Sequence, residues 1–149
     1  MDVSSPAAAP DRESLLKLVL RIIGGVSLTA LVLVVAPYTW MNAIHDGWLG
    51  MGELPSLPVV GYLARSTSAF YALLGGLMIL VSGDPRAHRS VLLYIAWATT
   101  ALGIALFFID RSEGLPPAWS LWEGPFVAAV GLLLVWLVRG LASEPDRSR

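Results

Sequence analysis

Four apolar blocks divide the chain, and short polar segments separate them. They occupy about residues 15–41, 60–82, 85–109 and 120–141. About 20 apolar residues are needed to cross a hydrocarbon core of ~30 Å, and a spanning segment must satisfy its own backbone hydrogen bonds. The pattern therefore predicts an all-α domain at 14–141 with four transmembrane helices.

The lengths of the connections predict how these helices follow one another. About two residues join the second and third blocks and about ten join the third and fourth, while an outer loop at 42–59 follows the first. Short loops force consecutive helices to be antiparallel neighbours, so we expect an up-down bundle. Residues 1–13 are predicted to be a disordered cytoplasmic tail and 142–149 a second cytoplasmic tail.

Local signals predict the ends of the helices. Asp11 is a candidate N-cap of the first helix, and Pro37 is expected to kink the outer end of that helix. Gly83 is a candidate C-cap, with Pro85 opening the third helix. The segment from Ser120 to Glu123 fits a capping box at the start of the fourth helix.

The positive charges are distributed unequally between the two sides of the predicted bundle. With the N-terminus inside, the outer side carries only Arg65 and Arg111. The inner side carries Arg12, Lys17, Arg21, Arg86, Arg89, Arg139, Arg147 and Arg149. Cytoplasmic loops are enriched in Lys and Arg, so both termini are predicted to be cytoplasmic, in a multi-pass protein of the inner (plasma) membrane.

Composition supports the membrane interpretation and limits the chemistry. Hydrophobic residues make up 56% and charged residues 14%, against about 25% charged in ordinary soluble domains. The net charge of −1 gives no nucleic-acid footprint. The chain has no cysteine, which excludes disulfides, thiol chemistry and cysteine-ligated metals within it.

No catalytic motif is present, and the middle of each predicted span lacks ionisable residues. The two histidines, His45 and His88, are predicted to lie on opposite sides of the membrane and so not to share a metal or a haem. We therefore predict a protein that is not an enzyme, with no cofactor and no metal.

Small residues recur every fourth position on the second helix, and Gly75 widens the strip that they form. The predicted packing face consists of Ala64, Ser68, Ala72 and Gly76. Such residues allow close approach of helix backbones in lipid. Candidate partner strips are Gly24, Gly25 and Thr29 on the first helix and Ala96, Thr100 and Gly103 on the third. Two interpretations stay open, packing inside the bundle and a homodimer seam.

Arg65 is a charge inside an otherwise apolar helix. Charges in spans are costly, and they face protein, form pairs or snorkel. Asp110 and Glu123 are expected at a similar depth, so we predict a polar network of Arg65, Asp110 and Glu123. The alternatives are a snorkelling arginine and a ligand site.

The outer segment 45–58 places apolar side chains among glycines and prolines. It is predicted to lie on the outer membrane interface or to roof a pocket between helices. Tyr38, Tyr62 and Arg65 are the candidate polar contacts of a lipophilic pocket there.

The stretches "GYLARSTSAFYALLGG", "GDPRAHRSVL" and "FIDRSEGLPPAWSLWEGP" resemble small bacterial four-helix membrane proteins of the DoxX-like kind, over about residues 15–141. The resemblance implies a four-helix membrane bundle, and some members of that group are linked to quinone- or thiol-related respiratory complexes. No cofactor-binding residue carries over, and the missing cysteines remove a thiol role for this chain.

The expected function is therefore that of a non-enzymatic structural or accessory component of a membrane complex. The alternative is a binder or carrier of a small lipophilic molecule, a quinone or a lipid, in the outer half of the bundle. The expected partners are the lipid bilayer and either other membrane-protein subunits or a second copy of the chain, but not nucleic acid.

Overall fold

The computed structural model describes residues 11–141. The predicted tails outside this range, 1–10 and 142–149, lie outside the described residues. The described part of the chain is all-α, as predicted: 80% of its residues are helical, and it contains no strand. The helices are α1 (Arg12–Leu28), α2 (Leu31–Val35), α3 (Tyr38–Ala43), a π-helical turn (Ile44–Trp48), α4 (Pro58–Val81), α5 (Arg89–Ser112) and α6 (Pro117–Gly140).

Four helical segments among the described residues are long and apolar enough to cross a membrane. They are Arg12–Val35, Pro58–Val81, Arg89–Ser112 and Pro117–Gly140. The first combines α1 and α2, which are joined by tighter i to i+3 hydrogen bonds such as that from the Thr29 N–H to the Val26 carbonyl. The prediction of a membrane-spanning all-α protein is confirmed at this level.

The described chain forms two compact units. The central unit is Val19–Ser82, which contains most of α1 together with α2, α3, the π-helical turn and α4. The terminal unit comprises residues 11–18 and 83–141, that is, the first turns of α1 together with α5 and α6.

In the central unit, α1 and α4 run antiparallel at very short range. A Cβ added to Gly24 would lie 2.7 Å from the Gly75 carbonyl oxygen, and one added to Gly75 would lie 2.6 Å from the Gly24 carbonyl oxygen. Only glycine permits this backbone separation, because any Cβ would overlap main-chain atoms. At one end of the pair, Arg21 Nε donates to the buried Ser82 hydroxyl at 3.3 Å.

In the terminal unit, α5 and α6 form a longer antiparallel seam of the same kind. Gly103 faces Gly124 and Ala128, and Gly131 faces Thr100. A Cβ on Gly103 would fall on the Ala128 main-chain nitrogen and 2.6 Å from the Gly124 carbonyl oxygen. The small residues thus recur over two helical turns of each helix.

Several predicted helix ends were wrong by a few residues. The predicted N-cap at Asp11 is confirmed, since its carboxylate accepts from the Ser14 N–H at 2.6 Å, and α1 therefore begins at Arg12, inside the predicted tail. α5 begins at Arg89 and not Pro85, because Asp84 instead caps a turn through the Ala87 N–H. The predicted outer loop 42–59 is partly helical, since α3 and the π-helical turn occupy its first residues.

The connection between α5 and α6 has four residues and not ten. α5 ends in a Schellman motif, with Gly114 at φ 72° and the Leu115 N–H donating to the Asp110 carbonyl at 2.9 Å. α6 then opens with Pro117 at its first position, so Ser120 is a buried residue within the helix and not its cap. The capping-box prediction was therefore wrong.

Candidate functional site

The candidate site lies in the central unit, where the first membrane-spanning segment breaks. α2 ends at Val35, and Ala36 takes an extended conformation with ψ 141° before Pro37. The carbonyls of a last helical turn lack partners within the helix, and Pro37 has no N–H to supply one. The predicted kink at Pro37 is thus present as a complete interruption.

Arg65 on α4 binds the carbonyls at this break. Its Nη1 donates to the Val34 carbonyl at 2.6 Å, and its Nη2 donates to the Ala36 carbonyl at 2.9 Å. A cation at a helix C-terminus also interacts favourably with the partial negative charge of the helix dipole. Arg65 is therefore the side-chain cap of the broken helix, which accounts for an arginine in an apolar span.

The three members of the predicted polar network are placed as follows. The Glu123 carboxylate accepts from the indole N–H of Trp119, one turn earlier on α6. Asp110 is 3% exposed, and its Oδ2 has no hydrogen-bond partner among the described residues. Arg65 belongs to the central unit and the two acids to the terminal unit, so their pairing stays a prediction.

The predicted lipophilic pocket of Tyr38, Tyr62 and Arg65 is not formed by those side chains together. The Tyr38 hydroxyl is bound to the Leu54 and Pro55 carbonyls at 2.7 and 2.6 Å, and so holds the outer segment. Tyr62 is exposed on α4. Arg65 uses its guanidinium on the helix break.

An apolar cavity of about 150 Å³ lies under the outer segment of the central unit. Its walls come from α2, from α3 and the π-helical turn, from the outer segment, and from α4. The lining residues are Leu33, Met41, Ile44, His45, Leu49, Leu54, Ala64 and Ser68. The outer segment therefore roofs a cavity, which was one of the two sequence interpretations.

Hydrogen bonds fix the roof in place. Asn42 Oδ1 accepts from the Leu54 N–H at 2.6 Å, and His45 Nδ1 lies 2.7 Å from the Gly52 carbonyl. A carbonyl can only accept, so Nδ1 carries a proton in this contact. The sequence placed His45 on one side of the membrane, opposite His88, and its part in the cavity wall was missed.

The predicted packing face of α4 contributes to two different features. Ser68 and Ala72 are buried, and Ala64 and Ser68 line the cavity. The residue of closest helix approach is Gly75, whereas a Cβ on Gly76 would have nothing within 4 Å. On the predicted partner strip, Gly24 makes the contact while Gly25 faces open space.

On the third helix, the strip of Ala96, Thr100 and Gly103 is buried, and its partners on α6 were missed. Those partners are Gly124, Ala128 and Gly131. They repeat at offsets of four and seven residues, which equals the spacing of Ala96, Thr100 and Gly103. This shared spacing was available in the sequence.

Comparison with protein-family models, with curated proteins and with solved structures returns no match. The resemblance to the DoxX-like group therefore stays a prediction. Among the described residues, no group of three or more His, Asp or Glu side chains is placed to hold a metal ion.

Proposed function

We propose that this chain is a non-enzymatic membrane protein that binds a small lipophilic molecule in the cavity of the central unit. The observation that carries the proposal is the cavity of about 150 Å³ under the hydrogen-bonded outer segment. Its walls are mainly aliphatic, so an apolar occupant gains the free energy of leaving water or a polar headgroup region.

The size of the cavity limits what enters it. A cavity of ~150 Å³ lined by apolar side chains accommodates a benzene-sized molecule, while sites for whole drug-sized ligands are about 300–1,000 Å³. The cavity therefore suits a single ring, such as the head of a quinone or quinol, or the end of an acyl chain. It is too small for a complete lipid.

Two polar groups in the wall give the site a preference among such molecules. His45 contributes an imidazole ring to the wall, and Ser68 contributes a hydroxyl that both donates and accepts. A ring carrying a hydroxyl group matches these two groups better than a plain hydrocarbon does.

The proposed location is a bacterial inner membrane, with both termini in the cytoplasm. Within the terminal unit, Arg86 binds Glu13 near the start of α1 and also the Leu141 carbonyl at the end of α6. Arg111 lies at the other end of α5. This distribution supports the inward placement of the more basic end. Cysteines introduced at Ala87 and Ser56, which are both exposed, should then be labelled from opposite sides of the membrane, and labelling of both from the periplasm contradicts the topology.

The cavity is tested with Ala64→Leu, which adds three carbons to its wall. Ala69→Leu is the matched control, because Ala69 is exposed on the same helix. Benzene, used as the probe in detergent, should stabilise the wild type by about 1.4 kcal/mol at ten times its Kd, by mass action. Ala64→Leu should abolish this shift, and Ala69→Leu should leave it unchanged.

Native mass spectrometry of the purified protein supplies the second measurement. A small lipophilic molecule should be retained by the wild type and by Ala69→Leu and lost from Ala64→Leu. Equal benzene responses in both variants, or no retained molecule beyond bulk lipid in any of them, would contradict the proposal.

A role as an accessory component of a membrane complex is the second candidate. The exposure of the first span favours this role. Only 11% of its most apolar stretch is buried, against 28–33% of the corresponding stretches in the other three spans. Leu18, Ile22 and Val26 form an exposed apolar ridge at intervals of four residues. Purification in mild detergent should then give an oligomer or a stoichiometric complex, and a partner-free monomer counts against this role.

A further inference from the structure

The terminal unit carries a surface groove of about 290 Å³ at the end where α1 begins and α6 finishes. It is lined by Arg12, Leu132, Val135, Trp136, Arg139 and Gly140. Two of these residues are cationic, none is acidic, and the floor between them is apolar. This composition differs from the cavity of the central unit, whose wall has no cation.

The two arginines are held on aromatic rings. The Arg12 guanidinium lies 4.8 Å from the centre of the Trp136 ring, and that of Arg139 lies 5.4 Å from the centre of the Trp97 ring. A guanidinium that lies over a ring keeps the donors at its edge available for an anion with two acceptor oxygens, such as a carboxylate or a phosphate. The aromatic contacts therefore orient both cations without neutralising them.

Gly140 makes room for the Arg12 side chain. A Cβ at this position would lie 2.5 Å from Arg12 Nη1 and 2.6 Å from its Cδ. Arg12 thus lies across the end of α6, which brings a residue of the first helix to the groove. Arg12 of α1 and Arg139 of α6 therefore line the same apolar groove.

Neither guanidinium meets a carboxylate within residues 11–141. The carboxylate of Glu13, the neighbour of Arg12, is bound by Lys17 Nζ and Arg86 Nε, both at 2.7 Å. The Asp11 carboxylate caps α1 through the Ser14 N–H. Among the described residues, the acids near the groove are therefore engaged elsewhere and do not neutralise its positive charge.

The floor of the groove extends into the membrane-spanning part of α6. Leu132 and Arg139 are seven residues apart, or about 10 Å along the helix. Both lie in the candidate span Pro117–Gly140. An occupant of the whole groove therefore needs a negative charge at one end and an apolar chain attached to it.

We propose that this groove binds an anionic phospholipid, with the phosphate between Arg12 and Arg139 and the start of an acyl chain along Leu132, Val135 and Trp136. Arginines bind phosphate through parallel N–H donors, and basic pockets at the ends of membrane helices suit anionic headgroups. Free phosphate shares the headgroup chemistry but gains nothing from the apolar floor. The site is independent of the cavity in the central unit.

The test measures retention of phosphatidylglycerol and phosphatidylcholine by delipidated protein in native mass spectrometry. One cation near a headgroup changes binding about fivefold, so Arg12→Gln and Arg139→Gln should each weaken phosphatidylglycerol binding about fivefold and the double variant about 25-fold. Arg12→Lys and Arg139→Lys keep the charge and lose the paired donors, so each should bind phosphatidylglycerol more tightly than the matching Gln variant and less tightly than the wild type. Arg111→Gln is the matched control, since Arg111 also lies on a ring, that of Phe107 at 5.5 Å, but at the other end of α5.

Three outcomes would overturn the proposal. One is a double variant that binds phosphatidylglycerol within twofold of the wild type, and another is an equal loss in Arg111→Gln. The third is full displacement of phosphatidylglycerol by millimolar inorganic phosphate, which would assign the groove to a free anion. A circular-dichroism melt of each variant shows whether a loss of phosphatidylglycerol binding is due to unfolding. Where a glutamine variant unfolds, the folded lysine variant is used to test the role of the charge.

Discussion

The two units use the same packing device to different extents. In the terminal unit, small residues keep α5 and α6 in contact over two turns, from Thr100 with Gly131 to Phe107 with Gly124. In the central unit, the close approach is confined to Gly24 and Gly75 and their immediate neighbours. Beyond it the first span is interrupted, a side chain of α4 caps the break, and a cavity opens.

This difference explains where each unit can hold a ligand. A continuous glycine seam leaves no space between two helices, so the groove of the terminal unit lies on its surface. In the central unit, the seam is short and the first span breaks beyond it. The break leaves main-chain carbonyls without helical partners and leaves space between the elements. Arg65 satisfies the carbonyls of the break, and the outer segment and α4 line that space.

The largest expected effect is on the long seam. Gly103→Ala places a Cβ on main-chain atoms of α6 that cannot move without shifting the helix. Overpacking typically costs about 1–3 kcal/mol, and we expect the upper end of that range because the neighbours are backbone. Thermal unfolding in detergent measures it. A loss for Gly103→Ala smaller than that for Gly24→Ala would contradict the ranking of the two seams.

Loss of the cap at the helix break should have the next largest effect. Arg65→Met keeps the apolar stem and removes both donors, so the Val34 and Ala36 carbonyls lose hydrogen bonds to a charged group, worth about 1.5–3 kcal/mol each when buried. Exposure to water reduces this, and we expect a loss of about 2 kcal/mol in unfolding free energy. Arg65→Lys should restore only part of it.

Pro37→Ala sharpens this prediction. The new N–H offers α2 a donor of its own, so Arg65→Met should cost less in the Pro37→Ala background than in the wild type. Strict additivity of the two substitutions would contradict the capping role.

A second cycle, Arg65→Met with Asp110→Asn, tests the predicted pairing of Arg65 with Asp110, which requires non-additivity.

Glycines outside the seams should behave in the opposite way. Gly25→Ala and Gly76→Ala each add a Cβ that has nothing within 4 Å. Since glycine costs about 0.5–1 kcal/mol relative to alanine inside a helix, both variants should be as stable as the wild type or slightly more stable. Destabilisation of Gly76→Ala comparable to that of Gly75→Ala would mean that both glycines lie in the seam.

The smallest expected effect concerns the start of α1. The hydrogen bond from the Ser14 N–H lowers the pKa of the Asp11 carboxyl below its ordinary value of 3.8. A carboxyl with a lowered pKa stabilises the fold above its unfolded-state pKa, and this contribution is lost as pH falls through the folded-state value. Carbon-detected NMR titration of Asp11 measures the shift. In Asp11→Asn the Asp11 part of the pH dependence of the first turn should disappear, while the part due to Glu13, which Lys17 and Arg86 bind, should remain. A pKa at or above 3.8 would contradict the capping contact.

Hydrophobic periodicity and local signals determined the fold class of this protein. Four apolar blocks define the spans because lipid cannot satisfy an exposed backbone, and Asp11 and Pro37 predict a cap and a break by local chemistry. The ends of α5 and α6 were also readable from Gly114 and the two prolines that follow it, although the prediction placed them three residues too far into the helices.

Only the tertiary structure decided which small residues and which polar groups act together. The sequence pattern placed Gly76 on the packing face and Gly75 beside it, but the rotation of α4 against α1 places Gly75 in contact and Gly76 in open space. The partner of Arg65 is a pair of main-chain carbonyls, which residue types cannot reveal. The cavity and the groove are formed by side chains that are far apart in the sequence. Their separation in the sequence does not indicate how close they lie in the folded protein.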